Sequence, residues 1–168
     1  MSTEISYRIA LLLVMLITAS ITIYYRRKAA SGEKISHREE GYLFAVILRL
    51  AGVCLWISTF AYLLAPKSIH WASIPLPAWI RWGGVVGGGA CSWLMYWTLS
   101  NLGRNLTDTV VTRNNAVLIT KGPYKWVRHP FYVTPALLMD SASLISANWA
   151  IGVSSVVVMF LLAIRTPN

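Results

Sequence analysis

Between Lys121 and Tyr132 the chain reads KGPYKWVRHPFY, with Arg128 and His129 side by side immediately before Pro130. A residue that precedes proline is driven out of the helical region, whereas proline itself is well tolerated in the first turn of a following helix. The spacing therefore predicts a helix that starts at about Pro130 with His129 outside it. First-turn N–H groups have no intrahelical partner and the helix end carries partial positive charge, so such an end seats a carboxylate or another anion. An imidazole and a guanidinium at that seat, beside Tyr124, Trp126 and Tyr132, can together hold a ligand with an anionic end and a flat or cationic part. A plainer role also suits these residues: Lys121, Lys125 and Arg128 reaching lipid headgroups above an aromatic belt. The residues alone leave both readings open.

The elements that must position this segment are apolar. Of the 168 residues, 56% are hydrophobic and 12% charged, which is too oily for a soluble domain of this length and points to an all-α, polytopic membrane bundle. Ile9 to Tyr25 reads as a first span that is retained, because it runs into Arg26-Arg27-Lys28 without a cleavage-type small-residue motif. Gly41 to Ala65 reads as a second span ended by Pro66, with Arg49 inside it. Lys67 to Pro77 suits an interfacial loop, and Ala78 to Leu99 a third span. Phe131 to Ile145 and Trp149 to Ile164, separated by Ser146-Ala147-Asn148, suit a tight helical hairpin, which makes five spans in all. In domain terms residues 1–168 form one membrane domain, with three helices over 1–100 and a cofactor-binding loop plus hairpin over 101–168.

Lys and Arg cluster in the first loop, in the Asn101 to Arg128 loop and after the last helix, which by the positive-inside rule puts the N-terminus outside and those loops in the cytoplasm. The formal charge of +9 is explained by this orientation, so nucleic acid is not an expected partner; membrane lipids are. Cys54 and Cys91 sit in separate spans without metal-ligand spacing, and no metal site is expected. Gly83, Gly84, Gly87, Gly88 and Gly89 place small residues at four-residue spacing for close helix approach, and they lack the Lys-Ser/Thr ending of a phosphate loop. Arg49 either faces a cavity or snorkels, and Asp140 is either an intramembrane functional carboxylate or a residue near the outer interface.

The order Leu118-Ile119-x-x-Gly122-x-Tyr124-x-x-x-Arg128-His129-Pro130-x-Tyr132 resembles the signature of the isoprenylcysteine carboxyl methyltransferase family, related to the membrane phospholipid methyltransferases. The likeness covers roughly Asn101 to Pro167. It implies a membrane-embedded methyltransferase that uses S-adenosylmethionine, with a pocket built by the loop and the last two helices. Carried over, Ala116, Val117, Leu118 and Ile119 would line the adenosine and Tyr124 would help close that pocket. Arg128, His129, Pro130, Phe131 and Tyr132 would surround the methionine part, and Arg165 would face the acceptor as the catalytic residue. The resemblance implies a lipophilic acceptor, prenylated or lipid, reached through the bilayer. A phospholipid amine or a thiol is the alternative acceptor, and a non-catalytic scaffold or a small transporter subunit the alternative function. The family's Glu four residues beyond its Arg would fall just past Asn168, so we expect the sequence to be a truncated form of a longer protein. Thr112 and Ala116 also differ from the family's usual residues at their positions.

Overall fold

A computed structural model describes residues 2–29, 42–102, 122–125 and 130–165. These residues form α1 (Ser2–Ala29), α2 (Tyr42–Leu64), α3 (Ala78–Leu102), α4 (Pro130–Ser146) and α5 (Trp149–Arg165), with short 3-10 turns at Pro66–Ala72 and Gly122–Lys125. The chain is all-helical over the described residues, and its one β-type contact there is an isolated antiparallel bridge between Ser73 and Asn148.

Prolines set the boundaries. Pro66 cannot extend α2 and instead opens the 3-10 turn as its first residue, and the Ser68 hydroxyl donates to the Ala65 carbonyl at 2.7 Å. The interfacial segment expected as a loop is thus partly helical. α4 starts at Pro130, where the residue order predicts it.

The α4–α5 turn is closed by local chemistry. Ala147 takes a left-handed conformation with φ 49°, its N–H donates to Leu144 O at 3.3 Å, and the Asn148 N–H donates to Ser143 O at 3.3 Å. That is the Schellman pattern, here with alanine in the place glycine usually takes. The Asn148 side-chain oxygen then caps α5 by accepting from the N–H groups of Ala150 at 3.1 Å and Ile151 at 3.3 Å.

Successive helices run up and down. At one end of the bundle, the Arg81 end, Arg81 of α3 ion-pairs with Glu4 of α1, donates to Tyr62 Oη of α2 at 3.1 Å and to Ile145 O of α4 at 2.9 Å. Its guanidinium also lies over the Tyr7 ring, 3.7 Å from the centroid. Arg8 donates to Leu63 O, Ile74 N–H donates to Ala147 O at 2.8 Å, and Trp71 meets Trp149 edge to face. The opposite end, the Pro130 end, therefore gathers the C-terminus of α1, the N-terminus of α2, the C-terminus of α3, the start of α4 and the end of α5.

α3 packs along α4 and α1, and α5 packs on α4 and α2, whereas α1 and α2 touch only briefly. The α3–α4 approach depends on selected glycines. A Cβ on Gly84 would fall 2.9 Å from Leu144 Cβ and 3.1 Å from the Ile145 backbone N; one on Gly88 would fall 3.0 Å from Val14 of α1. Gly83 and Gly89 have open space on that side. Gly84→Ala is accordingly expected to destabilise by about 2 kcal/mol, because backbone cannot move aside as a side chain can. Gly83→Ala should instead be neutral or stabilising by up to about 1 kcal/mol through helix propensity. Thermal melts of the two variants in detergent check the contrast, and equal midpoints would refute it.

The exterior is apolar and several polar groups face inward. Leu13, Leu16, Ile17, Ile57, Leu64, Val156 and Phe160 are all exposed, while Thr18 and Ser92 are buried with their hydroxyl oxygens 2.7 Å apart between α1 and α3. Ser155 of α5 donates to Asp140 of α4 at 2.7 Å, so this intramembrane-type carboxylate has a partner inside the hairpin. Arg49 lies on the exposed face of α2, Cys54 is exposed and Cys91 is buried.

Among the described residues two helices, over Thr3–Lys28 and Val46–Leu64, are long and apolar enough to cross a membrane. The five spans read from the sequence are therefore not all matched by that measure. α4 and α5 have 17 residues each. That is about 25 Å, short of the roughly 30 Å hydrocarbon core. α3 is longer but dilutes its apolar run with Arg81, five glycines and Asn101.

Candidate functional site

At the Pro130 end the Gly122–Lys125 turn lies against the end of α3. Gly122 has φ +64°, and a Cβ there would sit 2.6 Å from the Asn101 side-chain carbon, so both conformation and space require glycine. Asn101 is held by donating from its amide nitrogen to Trp97 O at 2.7 Å. Pro123 is buried and Tyr124 half-buried; desolvation pushes the Tyr124 phenol up to about 12, which keeps it a neutral hydroxyl at any cellular pH.

α4 contributes an unusual first turn. Pro130 is buried and its carbonyl accepts the Thr134 hydroxyl at 2.8 Å, with Thr134 itself buried. Residues 131 and 132 stand in the first turn, where N–H groups have no intrahelical acceptor. Pro135 lies inside the helix and has no N–H to give to the carbonyl of residue 131. One short stretch of backbone thus offers two free donors and one carbonyl without its usual donor. The donors face off the helix end and suit an anion, whereas the carbonyl points the other way along the axis and suits a separate cationic group beside the helix.

The hairpin register brings α5 to the same level. Ser143 lies against Gly152, and Asp140 accepts from Ser155, so each step down α4 is matched by a step along α5. Because both helices have 17 residues, Arg165 ends level with Pro130.

Among the residues singled out from the sequence, Tyr124, Pro130, Phe131, Tyr132 and Arg165 share this end of the bundle. Ala116, Val117, Leu118, Ile119, Arg128 and His129 lie outside the described residues. Sequence reasoning missed Thr98, Asn101, Thr134 and Pro135. Thr98 is fully buried, and its hydroxyl has no hydrogen-bond partner among the described residues. A polar series on the inward face of α3, Thr98 followed by Asn101, was the available signal, together with a proline five residues into a helix that already starts with one.

Residues 90–168 match the model of the Isoprenylcysteine carboxyl methyltransferase (ICMT) family, a stretch that runs from the second half of α3 through the turn at Gly122 to the end of α5. No curated protein matches the chain.

Proposed function

We propose that this chain is an integral-membrane methyltransferase that uses S-adenosylmethionine and acts on a lipophilic acceptor. The observation that carries the reading is that the family match falls on the elements that meet at the Pro130 end, where the first turn of α4 leaves free backbone donors and a free carbonyl level with Arg165. An apolar exterior with hydroxyls turned inward supports lipid as the solvent of the bundle. All five helices would then cross, α4 and α5 as a short hairpin buried against longer neighbours, and residues 1–168 would act as one membrane domain.

Of the fifteen Lys and Arg, Arg8, Lys67 and Arg81 stand at the Arg81 end and Arg49 within α2. The other eleven belong to helix ends or connections of the Pro130 end. In our reading the Pro130 end is therefore cytoplasmic and the N-terminus outside.

Bound at the Pro130 end, S-adenosylmethionine would supply a methyl group already activated on a sulfonium. What remains for the chain is binding and alignment. The first turn of α4, with Arg128, His129, Phe131 and Tyr132, would hold the amino-acid part through charge-assisted and backbone hydrogen bonds. Ala116, Val117, Leu118 and Ile119 would line the adenosine, with the neutral Tyr124 hydroxyl closing that side. Arg165 would orient an anionic acceptor such as a carboxylate, which needs no general base because it is already ionised.

Isothermal titration of the detergent-solubilised protein with S-adenosylhomocysteine tests the reading. Saturable binding is expected, weakened about fivefold by His129→Ala, in line with the loss of roughly one hydrogen bond. A flat titration would reject the methyltransferase reading and leave a non-catalytic scaffold.

A further inference from the structure

The last carbonyls of α2 have no intrahelical donor, and Arg8 of α1 serves one of them by donating from Nη2 to Leu63 O. That bond engages one of the five N–H groups of the guanidinium. Nε is buried and has no hydrogen-bond partner among the described residues. Glu4, one turn earlier on α1, is committed elsewhere: Arg81 takes both of its oxygens and Tyr62 reaches one of them at 3.5 Å. Among the described residues Arg8 therefore faces the partial negative end of a helix but pairs with no carboxylate.

Capping α2 would be a sufficient role if charge balanced around Arg8. It does not balance. The described part of the Arg81 end holds Arg8, Lys67 and Arg81 against one acid, Glu4, since Asp140 sits within α4 and accepts from Ser155. Glu4 compensates Arg81, which leaves Arg8 and the exposed Lys67 over. Lys67 follows Leu63 by four residues, across the turn opened by Pro66, so both cations belong to the α1–α2 corner of this end. A guanidinium with idle N–H groups at a corner of positive charge suits an anion with several acceptor oxygens, and phosphate matches its planar fork.

The surroundings select the source of the phosphate. Ile5 and Leu12, three residues before and four after Arg8, share its face of α1, and both are exposed. Leu64, next to the bonded carbonyl, is 80% exposed. Trp71, Trp79 and Trp149 are exposed at the same end, as an aromatic belt at headgroup level would be. A phosphate free in water would leave those aliphatic side chains uncovered, whereas a lipid brings acyl chains that cover them. A zwitterionic headgroup fits less well, because its ammonium would add to a charge already in excess. We propose that Arg8 binds the phosphate of an anionic lipid, from the leaflet at the Arg81 end, in the seam between α1 and the end of α2. The site rests on the bundle lying in a membrane and stands apart from methyl transfer.

The test places the full chain in phosphatidylcholine nanodiscs with a small share of a photoreactive phosphatidylglycerol whose diazirine lies close to the glycerol. After illumination, label is expected on the residues around Leu12 and Leu64. Excess plain phosphatidylglycerol should remove it, and Arg8→Gln should lower it about tenfold, as the loss of a charge-assisted bond would. Glutamine keeps an N–H group for Leu63 O, so the end of α2 stays capped. Equal labelling by a phosphatidylcholine probe, or labelling that Arg8→Gln leaves unchanged, would overturn the proposal in favour of ordinary bilayer lipid. Label confined to the basic stretch Arg26–Lys28 at the other end of α1 would overturn it too. Competition by inorganic phosphate as effective as that by the lipid would reject the lipid as the source and assign the site to a soluble anion. If Arg8→Gln fails to fold, the two probes and the competition on the parent chain decide by themselves.

Discussion

Pro135→Ala is expected to make the protein more stable and, in the same preparation, to weaken S-adenosylhomocysteine binding about tenfold. The two effects have one cause. Alanine restores an N–H that can donate to the carbonyl of residue 131, and it removes a residue that costs about 3 kcal/mol inside a helix relative to alanine. Part of that gain is offset because proline also stiffens the unfolded chain, leaving a net stabilisation of about 2 kcal/mol. If the free carbonyl of residue 131 is what receives a cationic group of the ligand, occupying it within the helix removes one charge-assisted bond. A bond of that kind is worth roughly 1.5–3 kcal/mol, enough for a tenfold loss. A detergent melt and a titration read the two quantities separately. Stabilisation with unchanged affinity would show that the first turn of α4 does not hold the ligand in this way, while leaving cofactor binding as such intact.

Arg81→Ala is expected to destabilise the fold by about 3 kcal/mol, the largest single-residue effect we anticipate away from the Pro130 end. Arg81 is buried and joins Glu4, Tyr62 and Ile145 O while stacking over Tyr7, so four partners on three other helices lose their common neighbour. Arg81→Lys should recover little, because a single ammonium cannot serve a carboxylate, a phenol and a carbonyl in divergent directions. Glu4 is half-exposed, and water can replace much of what the ion pair provides there. Glu4→Gln is therefore a smaller perturbation, under about 1 kcal/mol. Comparison of the three melting midpoints checks the order, and an Arg81→Ala protein within about 0.5 kcal/mol of the parent would show that this network is incidental to the fold.

The role of Arg81 in this network has no mark in the sequence, where it is one arginine near the start of an apolar run. Its chief partner, Glu4, lies 77 residues away. Nothing local announces that a carboxylate near the chain's start and an arginine at the start of α3 belong together.

Local physical chemistry, acting within a few residues, settled where the helices begin and end. Pro66 and Pro130 mark boundaries because proline lacks an N–H and restricts its predecessor, and Ser146-Ala147-Asn148 turns the hairpin with a left-handed residue followed by a cap. The apolar runs announced helices. Only tertiary structure decided the rest. It chose Gly84 and Gly88 over Gly83 and Gly89 as close-packing positions, gave Arg81 its partners and brought Arg165 level with Pro130. It also set Arg8 of α1 against the end of α2. Each of these depends on which face a helix turns to its neighbour and at what height the two meet. Side-chain spacing within one segment cannot specify either of them.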